Sequence, residues 1–114
     1  MYEYKAEVKR VVDGDTVDCL IDLGFDTWKK IRVRLAGINS PESRTRDLEE
    51  KKRGLAAKDR LIEILNGEDN KIILESLGVG KYGRCLGILK TEDTNINEQL
   101  VEEGHAVEYW GGKR

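Results

Sequence analysis

The sequence predicts a small α+β domain that is mainly β. It should be a five-stranded barrel with one helix between the third and fourth strands and a short helix near the C-terminus. Three observations carry this reading. Apolar and charged residues alternate with a period of two through three early segments, the pattern of strands with one face buried. The turn signals Asp13-Gly14-Asp15 and Gly24-Phe25-Asp26-Thr27 separate those segments by a few residues, so neighbours pair as hairpins. One longer helical pattern then follows, opened by Asp47 and closed by Asn66-Gly67.

The elements follow in order. Tyr2 to Val12 alternates as a first strand, with Tyr2, Tyr4, Ala6 and Val8 between charged positions. Thr16 to Leu23 is the second, with Val17, Cys19 and Ile21 on one face. Trp28 to Ile38 is the third, with Ile31, Val33 and Leu35 inward and Lys30, Arg32 and Arg34 on the opposite face. Asn39-Ser40-Pro41-Glu42 ends it, because proline cannot continue an interior strand. Asp47 with Glu50 resembles a capping box. Leu48, Leu55, Ile62 and Leu65, flanked by Leu61, mark the apolar face of the helix. Gly54 costs about 1 kcal/mol against alanine inside a helix, which predicts a short turn followed by a main helix from Leu55. Lys71 to Leu77 and Arg84 to Lys90 read as the fourth and fifth strands. Asn95 with Glu98 opens the short second helix, Gly104 stops it, and His105 to Trp110 is extended. This is the connectivity of an OB-type barrel; a mixed α+β sandwich is the less specific alternative.

A chain of 114 residues is one domain, 1–114, with 111–114 expected to be a flexible tail. Its 39% apolar and 37% charged residues describe a globular protein with a thin core, and no apolar run is long enough for a bilayer span. The polar N-terminus is no signal peptide, so the expectation is a cytoplasmic monomer unless a leader has been removed. A net charge of −2 excludes a protein that coats nucleic acid through bulk charge. Any such role falls to local clusters: Lys29 to Arg34, Arg44 with Arg46, and Lys51 to Arg53. Cys19 and Cys85 make neither a disulfide framework nor a four-ligand zinc site and are read as buried thiols.

Gly78-Val79-Gly80-Lys81-Tyr82-Gly83 has the glycine spacing of a dinucleotide fingerprint, but a strand follows where that motif needs a helix. It reads better as a strand-to-strand loop delivering Lys81, Tyr82 and Arg84. Asp13 and Asp15 are turn residues when taken alone. Beside Asn39, Ser40 and Glu42, Asp15 becomes a candidate oxygen donor for a hard cation such as calcium. Alone, Arg34 and Arg84 are surface charge and Glu42 a loop carboxylate.

The motifs D-G-D-T at Asp13–Thr16, V-R-L-A-G-I-N-S-P-E at Val33–Glu42 and K-Y-G-R at Lys81–Arg84 together resemble the staphylococcal nuclease (thermonuclease) family. Their order agrees, and so does the eight-residue step from Arg34 to Glu42. The resemblance runs from Val8 to about Trp110. It implies an OB-fold, calcium-dependent phosphodiesterase acting on DNA and RNA, leaving 3′-phosphate and 5′-hydroxyl ends. It implies Asp15, Asn39 and the carbonyl of Ser40 as metal ligands, Glu42 as general base, and Arg34 and Arg84 on the phosphate. Lys81 and Tyr82 would contact a terminal phosphate or nucleotide. The family usually carries aspartate where this chain has Asn39, which removes one negative charge and should weaken the metal site.

The chemistry agrees with those assignments. Attack of water on an anionic diester needs charge neutralisation and an oriented base, and guanidinium groups donate paired hydrogen bonds to phosphate. An open groove contacting backbone and bases favours single-stranded DNA or RNA. The rival reading is a nuclease-like OB module that binds nucleic acid or a protein without cutting. The remaining residues receive structural readings: His105 as partly buried, Trp28 as a barrel or rim residue, and Lys51-Lys52-Arg53 as a solvated helix face. Tyr109 and Trp110 follow Gly104-His105-Ala106 but are not assigned to the site.

Overall fold

The fold follows from strand alternation closing a sheet on itself. The structure, a computed structural model, describes residues 2–79 and 85–109. The elements run β1 (Tyr2–Asp13), β2 (Thr16–Asp22), β3 (Trp28–Leu35), β4 (Ile38–Asn39), α1 (Leu48–Asn66), β5 (Lys71–Val79), β6 (Cys85–Lys90), α2 (Ile96–Glu102) and β7 (Val107–Glu108). Five of the strands form a closed barrel, as the sequence predicts, and their order in it is β1-β2-β3-β6-β5. Its pairings are antiparallel except for β3 with β6, which run parallel through Val33–Leu35 and Cys85–Gly87. Register shifts at Val8/Arg10 and Val11/Asp13 break the β1–β2 ladder, and bulges of this kind increase twist.

The inward rows are the expected ones. Val17, Cys19, Val33, Leu35, Leu74 and Leu89 fill the barrel, and Leu61, Leu65 and Leu100 from the two helices pack onto them. Asn97 of α2 is a buried polar tie. Its Nδ2 donates to the carbonyls of Ala36 and Gly87 at 2.9 and 3.1 Å, and its Oδ1 accepts from Leu89 N at 3.2 Å. Such a residue is stable inside only because its donors and acceptor are satisfied.

Four local expectations are corrected. β3 stops at Leu35, because Gly37 turns the chain at φ 76°. Ile38–Asn39 then pair with Glu108 and Val107 in a separate two-stranded sheet, β4–β7. Helix α1 is continuous through Gly54, capped by the Asp47 carboxylate accepting from the Glu49 and Glu50 amides. Its buried face is Gly54, Ala57, Leu61 and Leu65, while Leu48 and Leu55 are exposed. Finally, the Asp13–Asp15 turn forms, but neither Gly14 nor Asp15 has positive φ.

Among the described residues no helix is long and apolar enough to cross a membrane. The expected tail 111–114, Trp110, and the loop residues Lys81, Tyr82 and Arg84 lie outside the described residues.

Candidate active site

One end of the barrel gathers the tight β1–β2 turn, the end of β3 and the segment after β4. Leu35 N donates to Asp15 O at 2.8 Å, locking the turn to the end of β3. Asp15 is buried, at 8% exposure. Its Oδ1 accepts the Thr16 hydroxyl at 3.0 Å and its Oδ2 accepts the Ser40 amide at 3.0 Å. Arg34 Nη1 stands 3.4 Å from the same Oδ2. A carboxylate this enclosed is tolerated only where its oxygens find partners, and both do.

Arg34 is fixed in turn. Its Nη1 donates to Leu35 O at 3.0 Å and its Nη2 to Asn39 Oδ1 at 3.3 Å. The guanidinium therefore bridges Asp15 and Asn39. Together with Thr16, Ser40 and Glu42, these residues line a polar cavity of about 330 Å³. Positions 15, 34, 39, 40 and 42, singled out in the sequence, thus meet at one cavity. A neighbouring groove of about 830 Å³ shares Asn39, Ser40, Pro41 and Tyr109 with it and extends past Arg53 and His105.

Helix α1 seats this assembly through two close approaches. A Cβ on Gly14 would lie 2.7 Å from Ala57 Cβ and 3.0 Å from Ser40 Oγ. A Cβ on Gly54 would lie 2.5 Å from the carbonyl carbon of Glu42 and 2.7 Å from Ser43 N. Both distances are shorter than real side chains tolerate, so each glycine is required by contact rather than by a turn. The Asp13 carboxylate also accepts the Ser43 hydroxyl, tying the turn to the Glu42 segment.

Several of these features escaped the sequence reading. Asp13 and Thr16 line the cavity beside Asp15. Tyr109, left unassigned, lines both cavity and groove, held by Tyr109 N donating to Gly37 O at 2.8 Å. Its signal would have been the β4–β7 pairing, a contact between segments some seventy positions apart that no local pattern announces. Arg53, read as part of a solvated helix face, is exposed and also borders the groove.

The cavity's donors are hard oxygens: the Asp15 carboxylate, the Asn39 amide and the backbone at Ser40. That set suits calcium or magnesium rather than a thiophilic metal. Among the described residues no group of three or more His, Cys, Asp or Glu side chains gathers to hold a metal, so most of a hard cation's remaining ligands would be water or substrate oxygens. Cys19 and Cys85 are buried free thiols. Burial pushes the Cys19 thiol up to about 12, which removes it from nucleophilic chemistry.

Known proteins match this chain along most of its length. The family described as staphylococcal nuclease homologue matches residues 32–113. The chain is 34% identical over 116 residues to the micrococcal nuclease of Shigella flexneri, covering 94% of this chain and 59% of that protein. It is 34% identical over 100 residues to the thermonuclease of Staphylococcus intermedius, covering 87% of this chain and 56% of that protein. It is 32% identical over 115 residues to endonuclease YhcR of Bacillus subtilis (strain 168), covering 95% of this chain and 9% of that protein. The chain thus spans less than two thirds of each of these relatives.

Proposed function

The chain belongs to the family of staphylococcal nuclease homologues, and from that premise we propose that it is a divalent-metal-dependent nuclease. It hydrolyses phosphodiester bonds of DNA and RNA with little base specificity and a preference for single strands, leaving 3′-phosphate and 5′-hydroxyl ends. The observation that carries this reading is the meeting of Asp15, Arg34, Asn39, Ser40 and Glu42 at one polar cavity.

Each residue has a physical role. Arg34 binds a phosphate oxygen: a guanidinium has five N–H donors, more than the three partners it has among the described residues. Its orientation is set before substrate arrives, so little reorganisation is needed as charge builds on the phosphate. Glu42, on the segment clamped between α1 and the Asp13 turn, takes the proton from the attacking water. Arg84 supplies the second guanidinium, and Lys81 and Tyr82 contact the terminal phosphate or nucleotide, on the strength of the family motif. The groove past Tyr109 receives the neighbouring nucleotide.

Asp15, the Asn39 amide oxygen and the Ser40 carbonyl would hold the metal, with calcium the first choice. When bound, such an ion polarises the phosphoryl oxygen and helps to position water. The amide at position 39 gives the site one charge fewer than a pair of carboxylates. That is the specific observation behind the second reading, a module that binds nucleic acid or a protein without cutting.

The test is cleavage of denatured plasmid DNA with calcium and with chelator. Glu42→Gln is expected to lower kcat by roughly 10²–10⁴-fold while binding persists. Cleavage by Glu42→Gln at the wild-type rate overturns the mechanism. Binding without cleavage by the wild type under any divalent metal selects the second reading.

A further inference from the structure

The tip of the β2–β3 hairpin lies at the other end of the barrel from the cavity. Thr27 N donates to Gly24 O and Leu23 N to Thr27 O, both at 2.9 Å, closing a tight turn. Its central residues, Phe25 and Asp26, both have positive φ, 54° and 58°. With Gly24 at φ 83° they make three consecutive residues at positive φ between the paired Leu23 and Thr27, a conformation that suits glycine and asparagine and in which a phenylalanine is sterically disfavoured. Phe25 takes no part in the core at 102% exposed, and Leu23 and Trp28, close to it in sequence, are exposed at 46% and 53%.

β3 connects this tip to the cavity. With Val33 and Leu35 buried inside the barrel, the period of two puts Trp28, Lys30, Arg32 and Arg34 in one outward row. The row reads aromatic, cation, cation, and then the candidate phosphate-binding arginine. Three carboxylates belong to the same ribbon. Asp18 is taken by Arg32, at 2.8 and 3.3 Å. Asp22 accepts the Gly24 amide at 2.8 Å, which leaves Asp26 at the tip. Among the described residues no carboxylate pairs with Lys29 or Lys30.

We propose that Phe25 and Trp28 form an auxiliary subsite that stacks the bases of a single nucleic-acid strand whose backbone follows β3 from the cavity. Trp28 and Arg34 are six steps apart along the strand, about 20 Å. That is about six nucleotides at the stacked rise, within the roughly 4–16 nucleotides an OB barrel covers. Repeating anions fit Lys30 and Arg34, and unpaired base faces fit the aromatic pair. Duplex DNA hides those faces, so the subsite selects single strands. A second copy of this chain is the poorer occupant, because a two-fold contact on this face sets the Lys30–Arg32–Arg34 row against itself.

The subsite rests on the nuclease reading, and substrate length separates the two. Wild type, Phe25→Asn, Trp28→Phe and the Phe25→Asn/Trp28→Ala double variant are compared on a 5′-phosphorylated thymidine dinucleotide and on oligothymidylate of about 16 nucleotides. Binding of the fluorescein-labelled long strand is followed in chelator. Asparagine tolerates positive φ, so Phe25→Asn folds at least as well as wild type. The double variant is expected to lose roughly tenfold or more in kcat/KM and in affinity on the long strand, with dinucleotide cleavage unchanged and Trp28→Phe close to wild type. An unchanged ratio of long- to short-substrate activity overturns the subsite and leaves the nuclease reading intact. Equal loss on both substrates also overturns it, as does a change in oligomeric state on size exclusion. Wild type that neither binds nor cuts either strand overturns the nuclease reading itself.

Discussion

At its Asp15–Arg34 end the β2–β3 ribbon is pressed against helix α1 and the 39–43 segment; at its Phe25 end it projects into solvent. The same two strands, with the same alternation, make both ends. At the first, Asp15, Arg34 and Asn39 hold one another, and two glycines allow approaches a side chain would forbid, Gly14 to the Ala57 and Ser40 side chains and Gly54 to the Glu42–Ser43 backbone. At the second, two residues sit at positive φ with an aromatic in open water. The difference teaches where accuracy resides in a small barrel. The end that positions a base and a guanidinium must be braced from behind, because small displacements of reacting groups are expensive in rate. The end proposed to stack sequence-tolerant bases needs only exposed area.

That contrast can be broken in order of expected effect. Glu42→Gln, on the braced end, carries the largest loss. Gly54→Ala comes next and has an unusual sign. In an ordinary helix this change stabilises by about 1 kcal/mol. Here the new methyl overlaps the Glu42 backbone, so urea denaturation is expected to show a loss of about 1–3 kcal/mol, with kcat reduced alongside. A more stable Gly54→Ala protein would mean that α1 does not seat the Glu42 segment. At the open end Phe25→Asn has the opposite sign, which makes the pair a direct comparison.

Asn39→Asp sharpens the braced end from the other side. A second carboxylate beside Arg34 and the candidate metal position is expected to lower the calcium needed for half-maximal cleavage, roughly tenfold. Unchanged metal dependence removes Asn39 from the ligand set.

The smallest effect lies away from both ends, where Arg60 of α1 holds Glu103 at the end of α2 through contacts of 2.5 and 2.9 Å. The Arg60 guanidinium, then the Gln99 amide, lower the Glu103 carboxyl from 4.5 to about 2. A depressed carboxyl stabilises the fold fully above its unfolded value and loses that contribution as pH falls through its folded value. Wild type should therefore lose stability between about pH 4.5 and 2 more steeply than Glu103→Gln, with the difference shrinking in high salt. Parallel acid-denaturation curves for the two proteins count against the link.

Much of this architecture is local and therefore legible. Alternation at Val17, Cys19, Val33 and Leu35 sets which face is buried, because a strand turns each side chain over at every residue. Asp47 and Asn95 announce their helices because a cap acts on amides two or three residues away. Arg34, Asn39, Ser40 and Glu42 lie close together in sequence and stay together at one strand end.

By itself, the sequence determined the five-stranded barrel class, the inward rows, the helix starts and the family motif around Asp15 and Glu42. Tertiary structure alone decided which face of α1 is buried, why Gly14 and Gly54 are glycines, and that Tyr109 reaches the cavity through β4 and β7. The physical reason is range. Backbone sterics and capping act over a few residues and leave a readable period, whereas close packing joins segments tens of positions apart and writes nothing periodic at either partner.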